Sequence, residues 1–98
     1  MKNEMLCGAA KTMTDGLKDA QMQYEYAEHA KEHGDKEMAA KHISEAHKRL
    51  SGVTEWLALL DESEESKQPL TRALLNHYKH WHKDLLERVE LFHAAAKA

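Results

Sequence analysis

Cysteine is nearly missing from this chain: Cys7 is the only one in 98 residues. No intramolecular disulfide can form, and a reducing compartment is the simpler expectation. Proline occurs once, at Pro69, so almost nothing interrupts helical backbone. Long apolar runs are also missing. The longest, Trp56 to Leu60, falls far short of the ~20 residues that span a bilayer. The segment Met1 to Ala10 is too polar and too brief to read as a signal peptide or an anchor, so the expectation is a cytoplasmic protein without membrane attachment. Charge of one sign is not concentrated anywhere. Fourteen Lys and Arg against 17 Asp and Glu give a net charge of −3, interspersed along the chain, so no basic patch points to nucleic acid. No glycine-rich phosphate loop, nucleophile elbow or Ser/His/Asp arrangement is present, and no enzyme or cofactor is expected.

What is present is heptad periodicity. Leu6, Ala10, Met13, Leu17, Ala20, Tyr24 and Ala27 form one seam; Ala39, Ile43, Ala46, Leu50, Val53, Leu57 and Leu60 a second; Leu74, Tyr78, Trp81, Leu85, Arg88, Phe92 and Ala95 a third. Each steps by four and three residues, the spacing that keeps one stripe of a helix against its neighbours. Arg88 alone breaks the apolar rule, and its long stem is expected to lie on the core with the charge in water. The pattern predicts an all-α antiparallel bundle of three long helices, at about 3–33, 36–60 and 69–96, in a single domain spanning 1–98.

The punctuation fits that scheme. Gly34 suits a left-handed helix stop, Asp35 can cap the next helix, and Pro69 is favourable in a first helical turn. Asp61 to Gln68 carries no apolar residue to hold it against a core and is expected to be a loop. Gly16 and Gly52 fall inside helices and are expected to mark close backbone packing rather than kinks.

Additional apolar stripes suggest a contact surface beyond the three seams. Met22, Tyr26, His29 and His33 form one on the first helix; Leu75, His82, Leu86, Val89 and His93 form one on the third; and the second helix is apolar nearly all round at Trp56 to Leu60. The expectation is a homodimer packed as a larger bundle, or another protein partner, meeting the chain at Trp56, Leu59, Leu75, Leu86, Val89 and Leu91. The alternative is that such stripes are simply the width of ordinary core-facing helices.

The stretch from Tyr24, with Ala27, Ala30 and Gly34 at their spacing, the Met38-Ala39 step and Ala46, resembles the first helical hairpin of rubrerythrins and other ferritin-like proteins. That resemblance implies the hairpin fold. A di-iron site in that family needs a first-helix Glu and a Glu-x-x-His motif on the second helix. With Gly34 on the family's turn, those positions fall on Gly16, Arg49 and Gly52, none of which binds iron. His42-x-x-Glu45 and Glu45-x-His47 have the wrong order or spacing. The implication is a ferritin-like hairpin without oxidase, peroxidase or iron-storage activity.

Eight histidines remain as the one compositional hint of chemistry. His77, His80 and Asp84 lie at three- and four-residue steps on one helical face, a donor set suited to Zn²⁺ or Ni²⁺ if another helix supplied a further ligand. Protonation of the histidines would also turn the net charge positive between about pH 7 and 5, which makes a pH-responsive bundle the companion alternative. The leading expectation is a non-catalytic helical protein acting through self-association or partner binding.

Overall fold

Gly34 adopts φ +76°, the left-handed conformation that stops a helix, and its N–H bonds the Lys31 carbonyl at 3.0 Å. Asp35 then caps the following helix by accepting from the Met38 N–H at 3.1 Å. These residues make the tight turn between α1 (Lys2–Glu32) and α2 (Lys36–Asp61) in the computed structural model, which describes the backbone of residues 2–97 and the side chains of residues 7–96. A single 3-10 turn, Glu64–Lys67, leads into α3 (Pro69–Lys97), which starts at the proline as expected. There is no strand among the described residues.

The helices run antiparallel in sequence, so α1 and α3 are parallel. Asp19 and Gln23 of α1 meet Arg49 and His42 of α2 in descending order, whereas Thr14 and Tyr24 meet Tyr78 and Phe92 of α3 in ascending order. The result is a rod of 48 × 20 × 16 Å. α1 and α2 make the most extensive contact, and α3 packs more on α2 than on α1. Small residues explain the first fact: Ala20, Ala27 and Ala46 are fully buried, and a Cβ on Gly16 would stand 2.9 Å from Val53 Cγ2. Large rings explain the second, since Tyr24, Tyr78, Trp81 and Phe92 fill the wider space on the α1 side of α3. The Tyr78 hydroxyl donates to the Ala10 carbonyl at 3.3 Å and so accepts from Thr14 Oγ1 at 2.7 Å.

All seven predicted positions of the α2 seam are buried. On α1, Met13, Leu17, Ala20 and Ala27 are buried, Ala10 and Tyr24 half-buried, and Ala9 and Ala30 join them; the Leu6 side chain lies outside the described residues. The α3 seam is corrected in part: Tyr78 and Leu85 hold their expected places, Trp81 and Phe92 are half-buried, and Ala95 is exposed. Thr71, Leu75, Tyr78, Leu85 and Val89 are buried, while Leu74 and Arg88 are exposed. Because α3 leans toward α2, its axis is rotated so that the α2 side of its apolar arc goes inward. Arg88 does not lay its stem on the core; it pairs with Asp84 at 3.3 Å on the surface. His82 takes a seam position, with Nε2 2.9 Å from both the Leu50 carbonyl and Thr54 Oγ1.

Gly52 also departs from expectation, since nothing lies within 4 Å of where its Cβ would stand. The Asp61–Gln68 segment is held by polar contacts instead of apolar ones. Asp61 Oδ1 accepts from Arg72 Nη1 at 2.6 Å and from Lys79 Nζ at 2.8 Å, and Arg72 Nε donates to the Ser66 carbonyl at 3.2 Å. Buried Ser66 donates to the Ser63 carbonyl at 2.7 Å.

The hydrogen bonds from Lys79 and then Arg72 hold the Asp61 carboxyl below the usual carboxylate range. A carboxylate depressed on folding adds stability above its unfolded pKa and loses it as pH falls through the folded value. In thermal melts the wild-type chain is therefore expected to lose stability below about pH 4 more steeply than Asp61→Asn. Equal slopes in the two proteins would show that this cluster contributes nothing.

Candidate interaction surface

The flank of the α1–α2 hairpin opposite α3 is uncovered. On α2 it is the row Met38, His42, Glu45, Arg49, Gly52, Trp56 and Leu59, which follows four- and three-residue steps beside the buried seam. On α1 it is Thr12, Asp19, Gln23 and Tyr26. The two rows are tied by Arg49 Nε to Asp19 Oδ2 at 2.5 Å, His42 Nδ1 to Gln23 Oε1 at 2.7 Å, and the Tyr26 and His42 rings 5.4 Å apart. Glu45 stands 3.7 Å from Arg49. The flank thus has a polar middle and two apolar ends. Tyr26 and Met38 are exposed at the hairpin-turn end; Leu59, 63% exposed, and half-buried Trp56 lie at the other.

The six residues expected to form one partner-facing surface do not share a face. Trp56 and Leu59 lie on this flank. Leu91, 72% exposed, lies across the bundle on an open groove between α1 and α3, beside Tyr24, Glu28, Arg88 and Phe92. Burial, with Glu28 adding to it, pushes the Tyr24 phenol above its usual pKa there, and Arg88 pulls it down. Leu86 is half-buried against the core. Leu75 and Val89 are each 1% exposed and belong to the core, so they are withdrawn from any surface. The third-helix stripe is the α2-facing side of an ordinary core helix. Met38 entered the sequence reading only through the Met38-Ala39 step of the resemblance, and its exposure was not foreseen there.

Comparison with protein-family models, curated proteins and solved structures finds no match.

The candidate metal residues lie on the outer side of α3. His77, His80 and Asp84 are all exposed; the His77 ring is 5.7 Å from Tyr78 and 6.1 Å from Trp81, and Asp84 is engaged by Arg88. Among the described residues no three His, Cys, Asp or Glu side chains are grouped so as to hold a metal ion. The positions onto which the ferritin-like resemblance would map ligands hold the Gly16–Val53 contact, the Arg49–Asp19 pair and the open space at Gly52. Cys7 is exposed. No helix among the described residues is long and apolar enough to cross a membrane.

Proposed function

We propose that this protein acts as a self-associating helical module whose uncovered α1–α2 flank is the contact surface. The observation that carries this reading is the layout of the flank, with apolar side chains at both ends of a polar centre. A two-fold axis through the Arg49–Asp19 pair sets the Tyr26 and Met38 end of one copy on the Trp56 and Leu59 end of the other, so one surface complements itself. The open space at Gly52 leaves room for a bulky side chain from the second copy.

The amount of surface supports the same reading. The chain exposes 6859 Å², about a fifth above the ~5,700 Å² of a compact monomer of its mass. A standard interface removes about 800 Å² from each partner. The elongation has the same sense: the radius of gyration is 15.3 Å, against about 12.6 Å for a compact domain of this length.

The test is solution mass by sedimentation equilibrium for the wild type and for Tyr26→Glu/Leu59→Glu, with circular dichroism on both. The expected result is twice 11.2 kDa for the wild type and the single-chain mass for the variant, both fully helical. The two substituted side chains are exposed, so the fold should tolerate the charges. A wild-type monomer at all concentrations up to millimolar, or a variant dimer, overturns the proposal.

A further inference from the structure

The end of α1 places two histidines together beside the hairpin-turn end of the flank. His29 and His33 are four residues apart, the step by which a metal-binding helix presents two imidazoles on one face. Their ring centroids are 4.4 Å apart at an interplanar angle of 68°. That separation can be compared with the demands of coordination. Metal–nitrogen bonds of about 2.0–2.1 Å, extended by about 1.1 Å to each ring centre, put two ring centres about 4.5 Å apart when the two bonds to the ion are perpendicular, whatever the angle between the ring planes. The pair therefore already has the spacing of adjacent ligands on one ion.

The surroundings favour a cation. His29 lies in the last turn of α1 and His33 just past its end, with the His33 N–H on the His29 carbonyl at 3.2 Å, so both stand at the negative end of the helix dipole. Lys31, the nearby cation of that turn, is drawn to the other side of the helix, its Nζ 5.2 Å from the Phe92 ring centroid. His29 and His33 share a depression of about 270 Å³ with His42, Asp35 and Met38, which brings three of the eight histidines to one end of the bundle. His42 Nδ1 is taken by Gln23 Oε1, and His42 does not complete a three-ligand set.

We propose that His29 and His33 form a two-imidazole chelate for a divalent late transition-metal ion, with water in its remaining positions. Two neighbouring imidazoles whose bonds meet at about 90° on the ion suit tetragonal copper(II) or nickel(II), and the general affinity order places copper(II) first. The site is on a different helix from His77 and His80; it borders Tyr26 and Met38 of the flank, and its readout, a metal titration, is separate from the solution mass that tests self-association.

The test is a Cu²⁺ titration of the Cys7→Ser chain, which removes an exposed thiol that would reduce the metal, followed by electron paramagnetic resonance and circular dichroism. One saturable equivalent with hyperfine coupling to two nitrogens is expected. His29→Ala and His33→Ala should each weaken it roughly tenfold or more, while His77→Ala/His80→Ala should leave it unchanged. The absence of a saturable equivalent, or one indifferent to His29→Ala and His33→Ala, overturns the inference. All five substituted side chains, Cys7 included, are exposed, so each variant should keep its helicity.

Discussion

Val89→Asp is expected to remove most of the chain's stability, by about 4 kcal/mol or more, whereas Arg88→Ala one residue earlier should be close to neutral. Val89 is 1% exposed, in a core cluster that includes Ile43, Leu50 and Leu85. Replacing it removes a buried branched side chain and puts a carboxylate among apolar core side chains, a combined cost of about 4 kcal/mol or more. A domain of this size has only about 5–15 kcal/mol in total. Arg88 makes one exposed ion pair, with Asp84 on the same helix, worth about 0.5 kcal/mol. Urea or thermal melts followed by circular dichroism read both variants. A near-native Val89→Asp would mean that the other register of α3 is the buried one and would return Val89 to the surface.

Gly16→Leu should be the second severe change, with Gly52→Ala moving stability the opposite way. A Cβ at Gly16 would already stand 2.9 Å from Val53 Cγ2, closer than real Cβ atoms approach, and leucine adds further carbons to the tightest helix contact of the fold. Overpacking of this kind costs about 3 kcal/mol, of which better helix propensity returns about 1 kcal/mol. Because the crowding atom is a side-chain methyl, Gly16→Leu/Val53→Ala should recover part of the loss, and a double-mutant cycle measures that coupling. Gly52 has no such neighbour, so Gly52→Ala should gain about 1 kcal/mol and raise Tm by about 4–8 °C. If both glycine variants shift Tm alike, the close approach at Gly16 is not what constrains the helices.

The candidate surface was only partly legible. Trp56 and Leu59 could be named from the chain because they are large, apolar and off the second seam. Tyr26 could be seen as part of an extra stripe, and so could His29 and His33, although their i, i+4 spacing pointed to chelation as directly as the spacing of His77, His80 and Asp84 did. Leu75 and Val89 misled because two stripes of α3 obey the same step rule and share Tyr78, Leu85 and Phe92. Periodicity measures how wide an apolar arc is, not which edge of it meets a neighbour. Asp61 was hidden for a different reason: its partners Arg72 and Lys79 are 11 and 18 residues away, and a polar segment carries no periodic signal of being held in place.

By itself, the sequence determined the three helices, the turn at Gly34 and Asp35, the start at Pro69 and the whole buried stripe of α2. These depend on backbone geometry and on spacings of three and four residues, which act within one helix. Only the tertiary structure decided the rotation of α3, the close approach at Gly16, the open space at Gly52 and which flank of the hairpin stays uncovered. Those depend on how far apart two helix axes settle, and that distance follows from side-chain size on both partners at once. Alanine and glycine drew α1 and α2 together, aromatic rings set the wider spacing between α1 and α3, and the flank beyond α1 and α2 was left without a third helix.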